Sequence, residues 1–261
     1  MSSIDLTGRV AVVTGGSRGI GRGIAESLLE AGASVVINGR SEEKGRQALS
    51  EMGAGKRAAF VSADVRQEKE IERLMAATLE RFGQIDILVN NAGGSGGFAP
   101  VAEMSNEAWD DACNWILNSA FWATRLALRD MQTRGWGRII NISSVEGRQA
   151  NKENVSHYIT FKHAMNGFTR AVAFEYGTKG ITSNAVSPGA VETDLMKEAG
   201  PAAAESMGIT YEAFKDNYAQ DAAIRRLNTV EEVAAMTLFL CSDAGAGITG
   251  AVLPVDGGTA L

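Results

Sequence analysis

The order of its hydrophobic runs constrains this chain more than any other feature. Short β-branched runs alternate with longer helical patterns along all 261 residues. Candidate strands fall at 9–14, 34–38, 58–62, 85–90, 138–143, 182–186 and 251–255. Helical patterns fill 20–31, 42–52, 67–82, 106–133, 157–177 and 229–241. In 67–82, apolar positions at Ile71, Leu74, Met75, Thr78, Leu79 and Phe82 trace one helical face. The 106–133 pattern is expected to break near 114–118, and Thr229 with Glu232 fits a capping box. Alternation this regular predicts parallel strands joined by crossovers. Strands apolar on both faces require helices on both sides of the sheet. The chain therefore reads as one α/β domain, 1–261, built on a doubly wound parallel sheet of about seven strands. Segment 193–228, rich in Ala, Met and Glu, breaks the rhythm. A substrate-side lid insertion is the expectation there.

Composition narrows the function classes. Glycine is in excess, 30 residues against 4 prolines, which rules out a collagen-like chain and points to tight turns or close backbone approach. The net charge of −6, with no polybasic stretch, argues against nucleic-acid or anionic-membrane partners. Cys113 and Cys241 stand far apart and suit a reduced compartment. No Cys/His cluster has metal-ligand spacing, so no metal is expected. Residues 1–6 carry no basic stretch before an apolar run, so no signal peptide is expected. No apolar run reaches the roughly 18–20 residues of a membrane span. These features together predict a cytoplasmic location.

The first strand ends in Thr14-Gly15-Gly16-Ser17-Arg18-Gly19-Ile20-Gly21, and a helix begins there. Glycines at a strand-to-helix turn let backbone approach a pyrophosphate, and the helix N-terminus supplies N–H donors. The second strand ends in Ile37-Asn38-Gly39-Arg40. An acid at that point would select NAD through the ribose diol. Here Arg40 and Arg18 offer guanidinium groups suited to a 2′-phosphate, which favours NADP(H), with NAD(H) the alternative.

Tyr158 and Lys162 lie four residues apart in the 157–177 helical pattern and so share a face. A tyrosine is a poor base at its ordinary pKa of about 10. A nearby ammonium and an oxidised nicotinamide would favour the phenolate; reaching pH 7 takes roughly 4 kcal/mol. Ser143 and Ser144 end the fifth strand, at the edge where such sheets bind ligands.

The chain resembles a short-chain dehydrogenase/reductase over essentially its whole length. The matching motifs, in order, are Thr14–Gly21, Asp64-Val65, Asn90-Asn91-Ala92-Gly93, Asn118, Ser143-Ser144, Tyr158 with Lys162, and Pro188-Gly189 with Thr193. The resemblance implies a Rossmann-like fold and metal-free hydride transfer between nicotinamide and a carbonyl or secondary alcohol. It implies Tyr158 as general acid/base and Lys162 as the group that holds the nicotinamide ribose and lowers the tyrosine pKa. Ser144 aligns with the serine that orients the substrate oxygen, with Ser143 as the fallback. Asn118 resembles the asparagine whose main chain holds a relay water. For the cofactor it implies Gly15, Ser17, Arg18, Gly19, Ile20, Gly21 and Arg40 on the phosphates and Asp64 with Val65 at the adenine. It also implies Asn91, Ala92 and Gly93 along the ribose and nicotinamide side. Pro188, Gly189, Val191 and Thr193 would hold the carboxamide and a phosphate. A homotetramer or homodimer is the expected assembly, and 255–261 resembles a tail near the active site or a neighbouring subunit.

Two readings of the activity compete within this family. One is a general carbonyl reductase. The other is a 3-oxoacyl-thioester reductase, for which Arg125, Arg129 and Arg148 are candidate entrance cations. A non-catalytic dinucleotide-binding sensor is the remote alternative, since Asn118, Ser144, Tyr158 and Lys162 are all present. The chain departs from the common pattern in two places. The 144–158 loop is about one residue longer than usual and very polar, and Gly94-Ser95-Gly96-Gly97 extends the fourth-strand loop. His157 and His163 are expected in structural or surface roles. Trp109, Trp115 and Trp122 are expected in core or subunit packing.

Overall fold

The structure, a computed structural model, describes residues 4–259. Residues 1–3, at the start of the segment read for a signal peptide, and 260–261, at the end of the tail, lie outside the described residues.

The strands are β1 (Val10–Val13), β2 (Ser34–Gly39), β3 (Ala58–Ser62), β4 (Ile87–Asn90), β5 (Gly137–Ile142), β6 (Ile181–Pro188) and β7 (Val252–Val255). They pair in parallel in the order β3-β2-β1-β4-β5-β6-β7. The helices are α1 (Gly19–Glu30), α2 (Glu42–Met52), α3 (Glu68–Phe82), α4 (Asn106–Cys113), α5 (Ser119–Arg134), α6 (Ser156–Tyr176), α7 (Asp194–Ser206), α8 (Tyr211–Gln220) and α9 (Val230–Cys241).

Side-chain alternation along the strands explains the two-sided core. Val13, Val35, Ile37 and Ile140 face Ile24 and Leu28 of α1 and Val233 and Leu240 of α9. Their neighbours Val12, Val36 and Ile139 face Ile71 and Leu74 of α3 and Met131 of α5. Trp115 and Trp122 join this second layer, and Trp109 meets Phe161 edge-on at 5.0 Å. The capping box of α9 forms as read, with Thr229 and Glu232 each accepting the other's backbone N–H.

The break in the long helical stretch is a π turn at Asn114–Asn118 between α4 and α5. Segment 193–228 is less irregular than its composition implied, since α7 and α8 occupy most of it. The Tyr211 ring of α8 lies against Gly200 of α7, and Ile209 N–H between them donates to Ala204 O at 3.0 Å. Within α8, Phe214 stacks on Tyr211 and meets Tyr218 edge-on.

Strand order reverses at β1, whose neighbours are β2 and β4. The carboxyl ends of β1 and β4 therefore diverge, which is where open α/β sheets place their ligands. Every motif singled out above except Asn118 and the Tyr158 helix leaves the sheet from that edge.

Candidate active site

Thr14 builds the floor of the crevice. Its hydroxyl donates to Val89 O at 3.3 Å and accepts the N–H groups of Asn91 and Ala92, both at 3.0 Å. The Asn91 amide donates back to Thr14 O at 2.8 Å. Buried Asn38 fixes the other side: its amide donates to Ala63 O and its carbonyl accepts Gly15 N–H, both at 2.9 Å. Sequence reasoning assigns neither Thr14 nor Asn38 a role in the site. A polar residue ending an otherwise apolar strand is the signal each carries.

The cleft fits a dinucleotide on two counts. Gly15 adopts φ +65° and a Cβ there would come 3.2 Å from Ala92 Cα, while a Cβ on Gly21 would fall 2.5 Å from Gly15 O. Only glycine leaves that backbone open to a ligand. Second, α1 has no side-chain cap and no acid in its first turn, so its N–H donors face outward. Gly19 N–H instead donates to Asp194 Oδ2 at 3.1 Å, an anion reaching across from α7. Arg18 pairs with Glu198 of α7 at 3.7 Å. Ser17 and Ile20 lie in the same turn, and Thr193 caps α7 beside Gly19.

The remaining cofactor candidates spread along the same edge. Arg40 is exposed beyond β2, close enough to Asp64 to help hold that carboxyl below its usual range. The main cause of that lowering is Arg66, which binds Asp64 at 2.7 Å. Val65 is buried behind it. Gly93 is exposed beyond β4. At the end of β6, Pro188 is buried and Gly189 N–H donates to Val255 O at 3.1 Å. Val191 bridges to Asn228.

The chemical end lies beyond β5. Consecutive residues on an extended strand point opposite ways. Ser143 accordingly donates to Lys162 O at 3.4 Å, whereas the Ser144 hydroxyl hydrogen-bonds the Tyr158 phenol and accepts Glu146 N–H at 3.2 Å. The geometry gives the first choice, Ser144, and the fallback, Ser143, different partners. Lys162, buried one turn after Tyr158, donates to Ile142 O at 2.7 Å. Its ammonium lies 5.6 Å from the Tyr158 ring centroid. Asn118 closes the π turn, its amide donating to Asn114 Oδ1 at 2.7 Å. Such turns shift the helical register by one residue and recur at functional sites.

Burial dominates the electrostatics. It pushes the Tyr158 phenol above its ordinary pKa, with the Ser144 hydrogen bond pulling the other way and the Glu146 carboxylate adding to the rise. It also lowers the Lys162 ammonium to about 7. The tyrosine lowering expected from the motif involves a bound nicotinamide as well as Lys162, whose ammonium donates here to Ile142 O. Glu146, buried and pushed up by its own desolvation, is the third ionisable group here, one that sequence reasoning does not single out.

Comparison with known proteins agrees with this geometry. The family model described as enoyl-(acyl carrier protein) reductase matches residues 15–260. D-beta-hydroxybutyrate dehydrogenase of Cupriavidus necator is 38% identical over 255 residues, covering 97% of this chain and 98% of that protein. The 3-oxoacyl-(acyl-carrier-protein) reductase FabG of Aquifex aeolicus is 37% identical over 257 residues, covering 98% of each. The crystal structure of a single-substitution variant of actinorhodin polyketide ketoreductase with NADPH superposes with a TM-score of 0.90 at 38% identity, covering 96% of this chain and 97% of that one. A doubly wound sheet carrying a glycine loop and a Ser-Tyr-Lys group defines a class of oxidoreductases. The chain belongs to the short-chain dehydrogenase/reductase family.

Proposed function

We propose that the chain is an NADP(H)-dependent carbonyl reductase that interconverts a ketone and a secondary alcohol. The observation that carries this reading is the meeting of the Ser144 hydroxyl, the Tyr158 phenol and the buried Lys162 ammonium beyond β5. The nicotinamide cofactor, when bound, supplies the hydride that adds to the carbonyl carbon. Tyr158 gives its phenolic proton to the carbonyl oxygen, so the C=O bond becomes a C–O–H group and the phenolate is left to be reprotonated. Ser144 orients that oxygen. Lys162, released from Ile142 O, holds the nicotinamide ribose and stabilises the phenolate. Asn118 carries the relay water through its main chain.

Around the cofactor, Gly15, Ser17, Gly19, Ile20 and Gly21 take the pyrophosphate, and Asp64 with Val65 takes the adenine. Asn91, Ala92 and Gly93 flank the ribose, and Pro188, Gly189, Val191 and Thr193 the carboxamide. Arg40 and Arg18 take the 2′-phosphate. The absence of an acid after β2 and the NADPH named for the ketoreductase neighbour support this preference. Steady-state kinetics with both cofactors tests it. NADPH should exceed NADH in kcat/KM by at least about tenfold, and Arg40→Ala should lower the NADPH value about tenfold while moving NADH less than about twofold. A preference for NADH overturns the assignment.

A 3-oxoacyl-thioester substrate is the second reading, favoured by relatives named for 3-oxoacyl and ketoacyl groups. A panel of β-ketothioesters, cyclic ketones, diketones and steroids, followed by NADPH absorbance, separates the two.

Segment 193–228 is read as the lid of this single domain. Its contacts with the body include the Asp194–Gly19 and Arg18–Glu198 pairs and Lys152 over the Tyr218 ring at 5.1 Å. Among the described residues no helix is long and apolar enough to cross a membrane. The free Cys113 and Cys241 support a cytoplasmic setting. Phe174, 93% exposed on α6, and Phe121 on α5 support a homotetramer or homodimer. NADPH should slow proteolysis at 194–220, and size-exclusion with light scattering should give a mass of two or four chains. An unprotected segment rejects the lid, and a monomer rejects the assembly.

A further inference from the structure

The two departures from the common motif pattern meet in space. Ala99 N–H, from the loop after β4, donates to Asn154 O at 2.9 Å in the loop before α6. Ser156 Oγ reaches Met104 Sδ at 4.0 Å. Between these contacts, His157 Nε2 hydrogen-bonds the carbonyl of Ser95, in the middle of the glycine cluster. A carbonyl oxygen only accepts, so Nε2 carries the proton and Nδ1 is left as an acceptor. That Nδ1 is buried without a partner among the described residues, in a residue 2% exposed. A buried imidazole with an unsatisfied nitrogen is costly unless the bond it does make matters.

Packing does little to hold the rest of this loop. Trp115 backs Gly94, where a Cβ would come 2.9 Å from the indole. Gly96 and Gly97, at φ +69° and +153°, have open space where a Cβ would lie. Phe98 and Val101 are 78% and 75% exposed. The His157 and Asn154 bonds are thus the polar ties joining the loop to α6 and its approach.

We propose that His157 is a positioning residue for the substrate: by holding Ser95 it joins the 94–97 and 144–158 loops into one rim beside Tyr158. The proposal rests on the reading of Tyr158 and Ser144 as the substrate end of the site. Neighbours on a helix point about 100° apart. The first turn of α6 therefore carries both the proton donor and the anchor of the loop that limits where the ketone's two substituents lie. The substrate class that benefits is an unsymmetrical ketone, whose two faces the rim distinguishes.

His157→Leu, His157→Asn and His157→Gln test this in the full-length protein. Asparagine keeps polarity but is too short to reach Ser95, whereas glutamine places an amide N–H at the Nε2 position. Hydrogen exchange is read at 94–101, together with KM, kcat and the enantiomeric ratio of the alcohol from a prochiral ketone. Leucine and asparagine should speed exchange at 94–101 and raise the ketone KM about three- to tenfold. Both should also erode the enantiomeric ratio, with kcat and the NADPH KM within about twofold. Glutamine should restore most of each. If leucine does not fold, the asparagine and glutamine pair carries the comparison. Unchanged exchange shows that His157 does not hold the loop. Faster exchange with unchanged KM and enantiomeric ratio shows that the loop is not a substrate rim. Either result overturns the proposal. Turnover retained by Tyr158→Phe would instead remove the reading on which it rests.

Discussion

Tyr158→Phe is expected to lower kcat/KM for ketone reduction by about 10³-fold or more while leaving the NADPH Kd within about twofold. General acid catalysis alone is worth about 10²–10⁴. Here the phenol also receives a hydrogen bond from Ser144, which on the proposed reading would tie substrate orientation to proton transfer. The ring stays packed against Ile116 and Phe161 in the variant, so the fold has little to lose. The direction of the tyrosine shift makes a second statement. Burial first, then Glu146, keeps the phenol protonated through the neutral range, which suits a proton donor. Reduction should therefore hold level across neutral pH and fall only in alkali, whereas alcohol oxidation, which needs the phenolate, should climb with pH. Fluorescence titration with NADPH and initial rates in both directions measure these effects. A phenylalanine variant that keeps roughly a tenth of normal turnover, far above the range general acid catalysis allows, would remove Tyr158 from the chemistry.

Lys162→Met should abolish turnover and, in the cofactor-free protein, raise thermal stability at neutral pH. The ammonium is buried and its pKa is lowered to about 7, against 10.5 when exposed. Between those values the unfolded chain binds the extra proton, so wild-type stability rises with pH across that window. The penalty is full below about pH 7 and vanishes above about pH 10.5. Methionine removes it but leaves Ile142 O without its donor, a loss of about 1–3 kcal/mol. At pH 7 a shift of this size is worth about 4 kcal/mol, so the net gain there should be about 1–3 kcal/mol. The gain should shrink steadily towards alkaline pH. Melting curves from neutral to alkaline pH without NADPH show it. A variant less stable than wild type in neutral buffer, or a difference that ignores pH, would sink the argument.

These two residues show what a sequence can carry. Tyr158 and Lys162 are legible because helical spacing puts them on one face and the ordered motifs around them, through the family resemblance, give that pair a role. The strands are legible because a sheet covered on both sides needs uninterrupted apolar runs such as Val10–Val13. The break at Asn114–Asn118 shows as an interruption of pattern, though its π character depends on backbone geometry that no spacing reveals. His157 is opaque for a different reason. Its partner Ser95 lies 62 positions away, and glycine-rich sequence says only that a loop bends. Asn38 looks like a missing acid, yet its role is to hold Gly15 and Ala63 together. Ser143 and Ser144 are ranked only by the resemblance, which puts Ser144 first, until the direction of the strand gives them opposite faces. The pKa directions depend on burial, which local sequence does not report. Glu146 illustrates this, being an acid in a polar loop that the fold nonetheless buries.

The Thr14 hydroxyl uses its single proton and accepts two N–H groups. The crevice floor is thereby cross-linked before any dinucleotide arrives. A surface already rigid has almost no conformational entropy left to lose on binding. On the proposed lid reading, the ordering that accompanies cofactor capture would fall on the two helices beyond Thr193. Their opening, rather than the grip of the glycine turn, would set how long the dinucleotide stays.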